Sequence, residues 1–506
     1  MKNIINCVFI FILLISFSAC EGNFDEINTN TVDPTDVDQV FLLNNAIIGS
    51  SFSTGGLKYD IGIVQQIITP NSGLLTGANY NQDNRDGAAE QWVDYYESVI
   101  KHTGDLINQL TDMPEKSNLL NMGRLIQAYT FMVLTDDYGD IPYFEAGKGY
   151  SDQIVLPVYD SQEDIYMDLI KEVKEATAGL SDSALPVPGE VLYSGDLSKW
   201  RKLGNSLLLR IGMRLVKVNP SMAEQLVKDA VAGGVMTSND DDFVIRHDNN
   251  FTNSIGATLN GSEANNYYLV DTFVDYLKNT DDPRLQAIAV RYVGASSGPE
   301  QVAANASTDA DDQIGMPMGH DNISIQNVVS DLGIASFYAF SQADRTRIAK
   351  TSSPMFMLTY GQTQLLLAEA AVRGWISGSA EEYYNNGVRG HMMQMAYYDE
   401  DSAIPDEDIN AYLAANPYDS ANALEQINTQ YWVASFLNGP EAFANFRRSG
   451  YPDLAPNNYP GQDITGDFIH RLTYPTSEIA VNSENVQAAI SRMGPDNLDT
   501  HVWWDQ

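Results

Sequence analysis

The sequence predicts a mainly α protein of tetratricopeptide-like helix pairs, interrupted by a loop-rich subdomain. Three observations carry that expectation. From Val40 onward apolar residues recur at three-and-four spacing, the period of an amphipathic helix. Two such stretches, 362–375 and 380–395, are joined by the turn Ser377-Gly378-Ser379, and Ala368, Ala370 and Ala371 permit close approach of the pair. Between about 235 and 350 the period fades, and Gly, Asn, Ser and Asp crowd together as they do in loops and short strands.

The chain opens with Lys2, an apolar run from Val8 to Ile15, and the small residues Ser18 and Ala19. That order is a signal peptide's, and the run is too short for a bilayer span of roughly 20 residues. A cysteine directly after Ser-Ala resembles the lipobox of bacterial lipoproteins, where the thiol is acylated and becomes the mature N-terminus. Phe17 departs from the Leu usual there. On this reading residues 1–19 are the signal, Cys20 is the lipid anchor, 20–38 is a polar tether and 39–506 is the folded domain. Cys7 leaves with the signal, so the mature chain has no intrachain disulfide.

Within the domain, 91–110 places Trp92, Tyr95, Tyr96, Val99 and Ile100 on one helical face. The stretch 124–134 does the same with Leu125, Ala128, Tyr129, Met132 and Val133, stopping at the turn-rich run from Thr135 to Pro142. Ser161 and Asp164 make a capping-box-like start for a helix reaching Leu180. Asp196 is a good N-cap for the clearest helix, in which Trp200, Leu203, Leu207, Ile211, Leu215 and Val218 step by three or four. Its basic residues, among them Lys199, Arg210, Arg214 and Lys217, are expected to pair with acidic neighbours. In the loop-rich part, helix survives around Tyr267–Lys278. Trp92, Trp200 and Trp375 lie on apolar faces and are expected in the core.

Charge narrows the function. The full chain has 29 Lys and Arg against 67 Asp and Glu, and losing Lys2 with the signal leaves 28 against 67, a net charge of −39. Nucleic acid and anionic headgroups both call for a basic footprint, so neither is expected as a partner. No GxSxG, HExxH, Walker A or dinucleotide fingerprint occurs. The six histidines are widely separated and show no ligand spacing, so no metal site is expected of them. No motif implies a cofactor. Ca²⁺ is the one ion the acidic clusters Asp309-Ala310-Asp311-Asp312 and Asp136-Asp137-Asp140 could serve, although neither has an EF-hand pattern.

A series of blocks resembles SusD/RagB-type nutrient-binding outer-membrane lipoproteins, in order along the chain. It runs from Asn23-Phe24-Asp25-Glu26-Ile27-Asn28-Thr29-Asn30 to Tyr138-Gly139-Asp140-Ile141-Pro142-Tyr143, then Gly195-Asp196-Leu197-Ser198-Lys199-Trp200. Asp281-Asp282-Pro283-Arg284-Leu285 follows, then Leu367-Ala368-Glu369-Ala370-Ala371 with Arg373-Gly374-Trp375. Phe446-Arg447-Arg448-Ser449-Gly450-Tyr451-Pro452, Arg471-Leu472-Thr473-Tyr474-Pro475 and Val502-Trp503-Trp504-Asp505 complete it. The subgroup it is most similar to is the one called SusD-like, starch-binding associating with outer membrane. The resemblance implies a SusD-like fold with a ligand-facing irregular subdomain and no catalysis. It also implies an acylated N-terminus on the cell exterior and a SusC-like TonB-dependent barrel as partner.

Glycans bind where flat aromatic faces meet amides and carboxylates, because sugars present CH faces and paired hydroxyls. Two stretches outside clear helices offer that mixture. One holds Tyr80, Asn81, Gln82, Asn84 and Arg85; the other holds Asn266, Tyr267 and Tyr268. Phe337-Tyr338 is a third. Tyr80 and its neighbours are the first expectation, since that loop precedes a helix and need not pack. The rivals are a RagB-type peptide binder, a surface glycoside hydrolase using two carboxylates, and a ligand-free structural lipoprotein.

Overall fold

The computed structural model describes residues 38–70, 77–149, 151–261, 264–457 and 459–506, so the signal, Cys20 and the tether up to residue 37 lie outside it. The unit Leu42–Gln506 holds the helix pairs and the loop-rich subdomain.

Consecutive helices pack as pairs: α1 (Ser117–Tyr138) with α2 (Gln162–Gly179), and α3 (Leu197–Arg214) with α4 (Pro220–Gly233). Later come α5 (Tyr360–Val372) with α6 (Ala380–Gln394), and α7 (Ala423–Ala434) with α8 (Gly439–Ser449). Contacts of α2 with α3, α3 with α5 and α5 with α7 join the pairs into one helical stack. Local chemistry sets the ends. Ser161 Oγ accepts from the Asp164 amide at 3.2 Å to start α2, and the Asp196 carboxylate accepts from Ser198 and Lys199 to start α3. Thr359 and Gln362 cap α5 reciprocally. Its far end closes in a Schellman motif, with Gly374 at φ +73° and the Trp375 amide donating back to Ala370 at 3.0 Å.

Glycines on both helices mark the α5–α6 crossing. Gly361, Gly387 and Gly390 stand at the crossing, where a Cβ on Gly387 would lie 2.6 Å from Leu365 Cγ and 3.0 Å from the Gly361 carbonyl. Gly387→Ala is therefore expected to lower stability by about 1–3 kcal/mol through overpacking, read from denaturant unfolding. An unchanged midpoint would mean that Leu365 can move aside.

Several boundaries differ from expectation. Helix α1 runs through Thr135 to Tyr138, with Asp136 hydrogen-bonded and Asp137 buried within the fold, and it ends at Gly139 with φ +80°. The stretch predicted as one helix at 91–110 is Arg85–Asp94, a π-helical turn Tyr95–Ile100, and Lys101–Leu110. Helix α3 stops at Arg214, since the chain must turn before Pro220. Tyr268–Leu269 is a strand, and the helix begins only at Asp271. Trp92 and Trp200 are buried as expected, but Trp375 lies past the end of α5, half-buried, with the Arg373 guanidinium 5.3 Å from its ring.

The basic helix packs among acids. Arg214 reaches Asp136 at 3.1 Å and Glu441 at 2.6 Å, Arg210 reaches Glu441 at 3.1 Å, and Lys217 reaches Asp505 at 2.9 Å. A second buried pair joins Arg448 to Glu369 through two contacts of 2.8 and 2.7 Å. Arg284, Arg447 and Arg471 are buried too.

Short strands run β1 (Ile67–Ile68), β2 (Ile141–Pro142), β3 (Tyr159–Asp160), β4 (Phe243–Ile245), β5 (Tyr268–Leu269), β6 (Ala289–Tyr292), β7 (Ala306–Ser307), β8 (Ser341–Ala343) and β9 (Met355–Leu358). They pair antiparallel as β1–β5, β2–β3, β4–β9 and the three-stranded β7–β6–β8. Most of this strand lies within 235–350, which is otherwise turns, 3₁₀ segments and short helices.

Candidate functional site

The β1–β5 ladder brings distant loops together. It sets Ile68 opposite Tyr268, while Val270 bridges to Met316. Ile68, Tyr268, Val270, Met316, Ile325, Val329 and Phe340 then form one apolar cluster, with Met318 and Phe337 packed against it. Two of the stretches singled out in the sequence, those of Tyr268 and Phe337, thus join a single small core.

On one side, the 3₁₀ turn Ala78–Tyr80 ends at Asn81, whose φ of +47° is one that Asn tolerates. Tyr80 is only 2% exposed, and its ring lies 4.3 Å from that of half-buried Tyr459, tilted by 32°. Burial, then Asp321 and Tyr459, push its phenol well above the usual range, so it remains a hydrogen-bond donor. The amides around it knit loop to loop. Asn79 donates to the Thr69 and His320 carbonyls at 2.7 and 2.9 Å, Asn81 to the Asn457 carbonyl at 2.7 Å, and Gln82 to the Gly461 carbonyl at 2.7 Å. Asn84 and Arg85 serve the scaffold instead. Asn84 caps the helix Arg85–Asp94, and Arg85 pairs with the Asp496 carboxylate and donates to the Tyr474 carbonyl at 3.1 Å.

On the other side, Tyr267 and Tyr268 are buried, and Tyr268 donates to the Asn265 carbonyl at 2.5 Å. Tyr268 meets Phe337 edge-on, and Phe337 lies 4.2 Å from Tyr338 at 31°. Phe337, Tyr338 and Asn266 are half-buried, with Tyr338 packed on Val290, Tyr292 and Ala295. Gln301 donates to the Tyr338 carbonyl at 2.9 Å, and Arg345 donates to the Tyr292 hydroxyl at 3.1 Å.

Two ring pairs are therefore partly exposed among side-chain amides, Phe337–Tyr338 on the loop-rich subdomain and Tyr80–Tyr459 on loops outside it. Several polar atoms beside them, His320 Nδ1, Gln462 Oε1, Gln301 Oε1, Gln342 Oε1 and Arg345 Nε, are buried and find no partner among the described residues. Sequence reasoning missed Tyr459. The one signal for it is the turn-rich run from Asn457 to Gly461, which places an aromatic outside any helix.

The calcium candidates have other work. Asp136 accepts from Arg214, Trp504 and Tyr166, and Asp140 accepts from the Gln162 amide and Arg492. In the exposed cluster, Asp309 caps a 3₁₀ turn and Asp312 accepts from Ser307.

A stack of helix pairs bearing one loop-rich subdomain is the architecture of SusD-like proteins. Residues 30–475 match the family SusD-like_2, described as starch-binding associating with outer membrane, and the chain belongs to that family. Among solved structures it is similar to a chitin-binding protein, with 30% identity, a TM-score of 0.82, and coverage of 93% of this chain and 100% of that one. A SusD-like protein of Bacteroidetes AC2a shares 25% identity over 93% and 100% of the two chains, with a TM-score of 0.80. A SusD homologue from Bacteroides fragilis, at 24% identity, has the same fold with a TM-score of 0.75 over 93% and 100% of the chains. No curated protein matches. Among the described residues no helix is long and apolar enough to cross a membrane.

Proposed function

We propose that this protein captures glycans at the outer membrane without catalysis and hands them to a SusC-like TonB-dependent barrel. Cys20 would be its lipid anchor, with the domain facing the cell exterior. The observation that carries the reading is the pair of half-exposed rings, Tyr459 on Tyr80 and Tyr338 on Phe337, set among loop amides. Such planes match the CH faces of pyranose rings, and amides match paired hydroxyls. The family's description and the chitin-binding relative favour a neutral polysaccharide, so malto- and chito-oligosaccharides are the first probes.

Calorimetric titration tests the proposal. One of the two oligosaccharide series should bind, and Tyr459→Ala and Tyr338→Ala should each weaken it about tenfold, the loss expected of a stacking anchor. Tyr80→Ala should weaken it as well, by leaving Tyr459 without its backing ring. Binding of neither series, with capture of peptides instead, would move the assignment to a RagB-type role. New reducing ends after incubation with polysaccharide would make it an enzyme. A barrel transporter co-purifying with the lipidated protein would support the hand-over.

A further inference from the structure

His470 and His501 are remote in sequence and adjacent in space. The His470 amide donates to the Leu498 carbonyl at 2.8 Å, which lays its loop against the C-terminal segment. The two imidazoles stack there, with centroids 3.5 Å apart and planes 27° apart. Both turn Nδ1 to one atom, Asp505 Oδ2, each at 3.0 Å. Asp505 is buried, and its other oxygen accepts from Lys217 Nζ at 2.9 Å. His501 Nδ1 also lies 3.0 Å from the Asp505 carbonyl.

We propose that His470 Nδ1, His501 Nδ1 and Asp505 Oδ2 form a binding site for a first-row divalent cation of the zinc or copper class. Such ions bind imidazole nitrogen and carboxylate oxygen at about 2.0–2.2 Å, which sets tetrahedral ligand atoms about 3.4 Å apart. The three atoms here already lie within 4.8 Å of one another, so a small spreading admits the ion. The histidine side chains are 25% and 45% exposed, leaving an entry path and room for water as fourth ligand.

The donor set also selects. Two imidazoles and one carboxylate suit zinc or copper, whereas calcium asks for six to eight oxygens. Lys217 and Arg447 are the cations facing this carboxylate, and Arg447 donates to the His470 carbonyl at 2.9 Å. They work against an ion held by charge alone and favour one held by nitrogen donation. Each imidazole now directs its Nδ1 proton at Asp505. Binding therefore displaces those protons, either to Nε2 or to solvent. The ion would clamp the loop ending at His470 to the segment holding His501 and Asp505.

The test uses the purified full chain, stripped with EDTA and titrated with ZnCl₂ and separately with CaCl₂ by calorimetry. We expect one zinc per chain and no stoichiometric calcium at this site. His470→Ala and His501→Ala should each weaken zinc at least about tenfold, while His102→Ala should leave it unchanged. His501→Gln, at the more exposed position, removes the ligand nitrogen with least disturbance and guards against a folding defect. Cobalt added to the unmutated chain should give the strong visible bands of a four-coordinate site. Absent zinc binding, a loss below about tenfold in His470→Ala, His501→Ala or His501→Gln, or a weak octahedral cobalt spectrum would each overturn the proposal.

Discussion

Arg448→Ala is expected to cost about 3–5 kcal/mol of stability, the toll of leaving a buried charge without its partner. Arg448 and Glu369 are both fully enclosed and meet through the two-pronged contact of 2.8 and 2.7 Å. Asn428 and Asn445 accept from the same guanidinium, and Arg373 reaches Glu369 from the solvent side. Burial alone would raise the Glu369 carboxyl, but Arg448 and then Arg373 hold it down at about 2. An unfolded glutamate titrates near about 4.3. The pair's contribution is thus complete above that pH and is lost as pH falls toward 2. The alanine variant should lose most of that acid dependence along with its stability. Arg448→Lys keeps the charge but not the fork, and should fall between. Urea unfolding at pH 7 checks this; a loss under about 1 kcal/mol for the alanine variant would reduce the pair to the worth of a surface contact.

The second large effect has the opposite pH dependence. Asp60 and Asp137 are buried close enough to repel each other, with Arg447 Nη2 3.9 Å from Asp137 Oδ1. Burial raises Asp60 to about 7 against the pull of Arg447. Burial, then Asp60, raises Asp137 further above the carboxylate range. Both folded-state values lie above that of an unfolded aspartate, about 3.9, so folding takes up protons. Stability from this pair is full below about pH 4 and declines as pH rises toward 7, by about 1.4 kcal/mol per unit for each proton held. Asp60→Asn fixes one site neutral. It should flatten that decline and be more stable than the parent chain at pH 8, with little difference below about pH 4. Parallel slopes for the two proteins between pH 5 and 8 would show that Asp60 titrates normally.

The helices were legible because periodicity is a local signal. Trp200, Leu203, Leu207 and Ile211 advertise one face whatever they pack against, and they are buried as expected. The close pairing of α5 and α6 was legible, but the glycines at its crossing, Gly361 and Gly387, stand out only when the two helices meet in space. The candidate site was half legible. Tyr80, Asn81, Gln82 and Tyr338 could be picked out as aromatics and amides outside helices. Their partners, Tyr459 and Gly461, come from the far end of the chain, and pairing at such separation leaves no periodic trace. The same holds for His470 and His501, which look scattered until the His470 loop folds against Leu498.

The buried arginines reshape the outside of the molecule. Arg210, Arg214, Arg284, Arg447, Arg448 and Arg471 are withdrawn from water, several of them beside acids. Interior pairing removes cations and anions together, so the acidic excess is carried by a surface with fewer cations left to dilute it. Neighbouring copies crowded within about 8 Å, the screening distance in physiological salt, would push one another apart. A polyanion would meet the same barrier, while an uncharged chain would cross it without penalty.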